Sequence, residues 1–328
     1  MVALFRTNQS FVNLLLFGYA LILQLPVFLL DYPVAEPSVA SYYGRALTEW
    51  VGRSPLLSTL LPPLLAATAG VVANWIARRH RLSRSVTQLP GMALVVLWAL
   101  SPAFRTFHPH QLNFVLILLL LASLARTYQR KSEEVSRFNA GLWLAAASLL
   151  VPSCLLLFPL AIVGIGIYRT ANLRSIFQLV GGMGVVYFLA GANAFWWGEW
   201  ESFWYGLVAG FGGGRFVAGT PFATIGTALL VLPLLTVLFG SRRSRALLSI
   251  EGAKNVLFFF WLLLFTLSVA LLTPLTTLGD AQVVVPPLGL LWGLWLSRLP
   301  VAQAEFVHLL CFTAATVLAV LHGMNTAY

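Results

Sequence analysis

Charge is what this chain has least of. Only 9% of its 328 residues are Asp, Glu, Lys or Arg, and just ten of them are acidic. Soluble domains carry about a quarter charged residues, so a water-soluble fold is excluded. The charges also avoid the centres of the apolar runs, which removes the usual mark of a proton relay or an ion pathway. Cysteine is equally scarce: Cys154 and Cys311 both lie in apolar runs and say nothing about disulfides or redox compartment. No G-x-x-x-x-G-K-[ST] phosphate loop, C-x-x-C, H-E-x-x-H or G-x-S-x-G occurs. No cofactor and no metal site are evident, and a need for a divalent metal is not readable.

What is abundant is apolar surface. The chain is 59% hydrophobic, with a mean hydropathy of +0.86. Several runs reach the roughly 20 residues that cross hydrocarbon as a helix. Eleven Trp and 17 Pro suit the aromatic belts and tolerated kinks of membrane helices. The expected fold is all-α, a polytopic membrane helix bundle forming one integral-membrane domain over residues 1–328, with no soluble domain. About 11 spans, within a range of about 9–12, are read at 11–30, 56–77, 89–104, 111–125, 140–152, 154–168, 176–197, 222–240, 256–273, 283–297 and 306–322. The first is read as a permanent span, because it runs into Asp31 without a small-residue cleavage site. Residues 139–168 are too long for one span, and Pro152 near their middle predicts two short helices. Such pieces, like 89–104 and 111–125, survive only where protein shields their ends from lipid.

The net charge of +10 is topological. With the N-terminus cytoplasmic, Lys and Arg concentrate on the inner side, from Arg6 through Arg78, Arg137 and Arg174 to Arg298. Only Arg45, Arg53, Arg105 and Arg215 fall outside. The positive-inside rule selects this orientation for a bacterial inner-membrane protein, with the C-terminus periplasmic. It leaves no basic surface for nucleic acid. It also places His80 inside and His108 and His110 outside, so the four-histidine iron site of a metal oxygenase is not expected.

Chemistry then falls to the outer segments. In "DYPVAEPSVASYYGRALTEW" (31–50), apolar residues recur at intervals of three and four, which predicts an interfacial amphipathic helix over 38–51. Asp31 stands at its lip, either as a general base or metal ligand facing a lipid-borne substrate, or as a solvated helix-end residue. In "SPAFRTFHPHQLNF" (101–114), Arg105, His108 and His110 can grip a phosphate or headgroup; the plainer reading is that any tight turn between membrane helices is polar. Arg215 is a further outer cation. Trp196, Trp197, Trp200 and Trp204 form either an interfacial girdle or a stacking platform for a sugar or headgroup. Gly289 and Gly293, spaced G-x-x-x-G, permit close helix packing.

Two resemblances follow from the text of the chain. The "LFRTNQSFVNLLL" start, the block "LNFVLILLLLASLARTYQRKSEEVSRFNAGLWLAAASLL" and the turn "YRTANLRSIFQLVGG" resemble an uncharacterised, domain-of-unknown-function family of inner-membrane proteins from Bacteroidota. More distantly, the layout resembles the GT-C class of membrane glycosyltransferases, which use polyprenyl-phosphate sugars. In that class an acid follows the first span and an interfacial helix precedes the second, the order of Asp31 and residues 38–51. "LWALSPAFRTFHPH" and the Pro-rich "TPLTTLGDAQVVVPPLGLLWGLWL" are also similar. The chain departs from the class in lacking an acid within "RTFHPHQ" and a large periplasmic domain. The resemblance implies a role in envelope or lipid-linked glycan biogenesis, with the lipid bilayer and a lipid-linked saccharide as partners. A non-enzymatic scaffold subunit with membrane-protein partners, and a flippase without ion coupling, are the alternatives.

Overall fold

A helix of 12 residues rises about 18 Å, well short of the about 30 Å of a hydrocarbon core. Two such helices nevertheless form the centre of this molecule. The computed structural model describes the chain outside residues 8, 10, 31, 33–40, 84–85, 128–132, 169–171, 210–219, 241–249, 273–277 and 327–328. Its described helices are α1 (Val2–Phe5), α2 (Val12–Leu29), α3 (Tyr42–Gly52), α4 (Pro55–Arg79), α5 (Leu89–Leu100), α6 (Pro109–Ala125), α7 (Glu133–Leu150) and α8 (Phe158–Ile167). They continue with α9 (Leu173–Trp196), α10 (Trp200–Ala209), α11 (Pro221–Ala228), α12 (Val231–Gly240), α13 (Ile250–Leu272), α14 (Val285–Leu296) and α15 (Val301–Thr326). Short 3-10 turns lie at Pro102–Phe104, Pro152–Leu157 and Leu278–Val284.

Every residue of α5 is buried, and so is almost all of α14. The two pack face to face, with α2, α4, α6, α13 and α15 around them. Small residues set the distance: a Cβ on Gly289 would stand 2.6 Å from Leu94 Cα, and one on Gly293 would collide with Pro90 Cα. The G-x-x-x-G reading of this pair therefore holds. The start of α5 is held by a buried amide network. Asn74 Oδ1 accepts from the Gly91 N–H at 2.7 Å while its Nδ2 donates to Gln88 Oε1 and Asn13 Oδ1. A first-turn N–H with no helical partner is satisfied in this way.

All eleven expected segments are helical, but the count of spans needs correction. Among the described residues, six helices are long and apolar enough to cross a membrane: Phe11–Leu29, Pro55–Arg79, Leu173–Trp196, Pro221–Gly240, Ile250–Leu271 and Val301–Asn325. Leu89–Leu100, Pro109–Ala125 and Pro152–Ile167 are shorter apolar helices, as α14 is short, and α7 opens on Glu133 and Glu134. Hydropathy reads apolar length, whereas these segments are apolar because protein buries them.

The ends of the bundle differ. Arg6 donates to the carbonyls of Leu296 and Leu299, the Gln88 N–H to the Phe5 carbonyl, and Arg174 pairs with Glu134. With Asn255 bridging the His80 carbonyl that ends α4 and the Tyr168 hydroxyl that ends α8, the ends of the helices that carry Arg6, Arg78, Arg79, Arg137, Arg174 and Arg298 form one end of the bundle, here the basic end. At the opposite end, α3 begins at Tyr42, capped by Ser41, whose Oγ accepts from the Gly44 N–H at 3.0 Å. Its expected first residues, 38–40, lie outside the described residues. Tyr43 anchors α3 to α9 by donating to the Ala190 carbonyl at 2.7 Å. Ala46 and Trp50, two of its apolar residues, are exposed.

Candidate functional site

The shortness of α5 and α14 creates a recess at the end opposite the basic one, and the loops that follow and precede them fill it. Gln24 Nε2 donates to the carbonyls of both Thr59 and Arg105. Gln24 stands five residues before the end of α2 and Thr59 four after the start of α4. Arg105 thus lies about 6–8 Å below those helix ends at 1.5 Å per residue. "RTFHPHQ" is a plug inside the bundle, whereas the sequence pattern predicts an outer turn above it.

Local chemistry folds that plug. His108 is the N-cap of α6: its Nδ1 accepts from the His110 N–H at 3.2 Å, while Gln111 Oε1 accepts from the His108 N–H, closing a capping box. Pro109 occupies the first turn, where its missing N–H is harmless. Gln111 Nε2 and Trp98 Nε1 both donate to the Phe104 carbonyl, at 2.8 and 2.7 Å. Arg105 is fully buried. Its guanidinium makes four hydrogen bonds to three carbonyls, two to Ala99 and one each to Leu23 and Ala315. Those carbonyls belong to α5, α2 and α15. Burial, partly offset by nearby Tyr32, pulls its pKa down to about 10, so the charge persists at neutral pH. Tyr32 moves the other way, pushed up to about 12 by burial, and donates to the Ala319 carbonyl at 2.6 Å.

Beside this clamp the structure brings His108 and His110 to Asp280, a residue that sequence reasoning had not singled out. His108 Nε2 lies 3.2 Å from Asp280 Oδ1, and the two imidazoles are stacked at 5.1 Å and 10°. One ligand atom from each of the three lies within 4.8 Å of the others. A signal existed: Asp280 is the sole acid between Glu251 and Glu305, and it follows Gly279 near the start of the 3-10 turn Leu278–Val284. The turn missing its own acid receives one from another loop. Buried polar atoms without a hydrogen-bond partner include His110 Nδ1 and, one turn on along α6, Asn113 Oδ1, together with both amide atoms of Gln282, two residues from Asp280, and Oε1 of Gln24, whose Nε2 holds the Arg105 carbonyl. Each costs about 1–3 kcal/mol if left bare, and such groups are where water, ions or ligands sit.

A second feature is apolar. A pocket of about 750 Å³ is lined by Pro152, Leu155, Phe188, Trp200, Phe203 and Trp204, among others. Gly198, at φ +73°, turns the chain from α9 into α10 and lets α10 fold back over α9. Of the four expected tryptophans, Trp200 and Trp204 wall the pocket, whereas Trp196 and Trp197 are 84% and 70% exposed. Cys154, which lies in sequence between the pocket residues Pro152 and Leu155, has its Sγ 3.3 Å from Asn113 Nδ2, one turn along α6 from His110. Asp31 and Arg215 lie outside the described residues.

Fold and site together define a multi-pass, all-α membrane protein with a polar plug and an apolar pocket at one end. No protein-family model and no curated protein matches the chain. Among solved structures it is similar to ArnT from Cupriavidus metallidurans, determined bound to undecaprenyl phosphate, with a TM-score of 0.58 at 13% identity. The match covers 92% of this chain and 63% of that one, so this chain spans under two thirds of ArnT's length. The GT-C-like arrangement expected from the sequence is supported by this likeness of fold.

Proposed function

We propose that this protein binds a polyprenyl-phosphate-linked saccharide at the outer face of the bacterial inner membrane and transfers from it in envelope glycan biogenesis. The observation that carries the reading is the apolar pocket of about 750 Å³. Phe188 and Phe195 on its walls are 74% and 71% exposed, so the pocket is open at its side to an isoprenoid chain. The likeness of fold to a protein solved with undecaprenyl phosphate makes a polyprenyl carrier the fitting occupant. In this reading the basic end faces the cytoplasm, as the positive-inside rule requires. The carrier's phosphate reaches the polar plug, with Arg215 as a second cation and Asp31 as the base that accepts the proton of the attacking hydroxyl.

Lipid extraction from the purified protein followed by mass spectrometry tests it. A polyprenyl phosphate should co-purify with the wild type and fall about tenfold or more in Trp200→Ala, which removes an apolar wall whose burial is worth about 1.5–3 kcal/mol. Recovery of bulk phospholipid alone from both proteins would sink the idea. Asp31→Asn should keep the lipid and lose turnover.

A further inference from the structure

We propose that His108, His110 and Asp280 bind one divalent transition-metal ion of the zinc class, with one coordination position left open. The inference goes beyond the lipid reading and stands without it. Two imidazoles and one carboxylate are the nitrogen-and-oxygen set that zinc accepts, whereas magnesium and calcium take oxygen ligands. The three ligand atoms lie within 4.8 Å of one another. In a tetrahedral site they stand about 3.3–3.5 Å apart, so side-chain rotations of about an ångström close the set. His108 and His110 come from one capped turn held by Pro109, which fixes the two donors before any ion arrives.

The independent observation is His110. It is 1% exposed, and its Nδ1 has no hydrogen-bond partner. A native interior seldom leaves such an atom bare unless something binds there. Asp280 is also the least buried of the three, its side chain 12% exposed, which gives an ion its way in. The His108 tautomer is assigned by its partners: Nδ1 accepts the His110 N–H, so the proton sits on Nε2 and points at Asp280. An ion bound at Nε2 displaces that proton to Nδ1. The imidazole stays neutral, no proton is lost, and α6 gives up the cap bond from the His110 N–H while Gln111 keeps its half of the capping box. One carboxylate against a dication leaves a local charge of plus one, so the open position suits water or an oxyanion.

The test counts metal, independently of any lipid. The untagged full chain in detergent is stripped with EDTA, offered zinc, manganese or magnesium chloride, desalted and analysed by inductively coupled plasma mass spectrometry. The expected result is one zinc per chain and negligible magnesium. His110→Ala and Asp280→Asn should each retain less than about a tenth of the wild-type zinc, and His322→Ala should retain all of it. His108→Asn removes the ligand but keeps a good helix cap, so it should lose zinc while the metal-free protein still unfolds in one cooperative transition, its midpoint lowered only by the loss of the Asp280 contact. Wild type holding less than about a tenth of an ion per chain overturns the proposal. Zinc that persists undiminished in both His110→Ala and Asp280→Asn does so too.

Discussion

Replacing Arg105 by Ala takes away both hydrogen bonds that the Ala99 carbonyl receives from this side chain in the last turn of α5. It also frees the carbonyls of Leu23 and Ala315 from their charged partner. Hydrogen bonds to a charged group contribute about 1.5–3 kcal/mol each, so Arg105→Ala should lose at least about 3 kcal/mol. Thermal unfolding in detergent reads this directly. Arg105→Lys keeps the charge but not the fork and should fall between the two. A Lys variant as stable as wild type would show that charge alone holds the plug. At this scale the sequence was only half legible. Arg105, His108 and His110 are visible as a polar group in an apolar chain, which is why all three stood out as phosphate ligands. That the arginine turns inward onto carbonyls of three helices is a tertiary fact that no local pattern encodes. Asp280 was hidden for the complementary reason, since its partner lies some 170 residues earlier in the chain.

Between elements, packing is set by glycines whose missing Cβ lets backbones touch. On α7 and α9, a Cβ at Gly141 would run into the Leu179 carbonyl and one at Gly182 into the Phe138 carbonyl. Gly289→Leu should force α14 off α5 and lower stability by about 1–3 kcal/mol. Gly18 in α2 has nothing within 4 Å of its missing Cβ, so Gly18→Ala should be neutral or stabilise by up to about 1 kcal/mol. Unfolding curves in one detergent compare the pair. Here the sequence was more informative. Helix positions followed from apolar runs and breakers, including the break at Pro152, although the helix before it is the 18-residue α7 and not a short piece, and the G-x-x-x-G contact was readable from spacing. The number of spans was not, because a helix buried in protein and one facing lipid are equally hydrophobic. Only the contacts of α5 and α14 separate them.

For the molecule as a whole, orientation makes the sharpest prediction. Cys154 and Cys311 are buried, so single cysteines placed on the surface report cleanly. Glu49→Cys, on exposed α3, should react with a membrane-impermeant maleimide in intact spheroplasts, while Arg174→Cys, 72% exposed at the basic end, should react only after lysis. The reverse pattern would invert the topology and place the histidine end in the cytoplasm. The central helix pair has a further consequence, for how the chain is made. α5 is too short to lodge stably across a bilayer alone, and its main partner α14 begins 185 residues after α5 ends, at Val285 against Leu100. At 5–20 residues per second, synthesis takes roughly 10–40 s to deliver that partner. Throughout that interval α5 is a guest of the earlier helices, chiefly α2 and α4. The centre of the finished molecule is the last part of it to be secured.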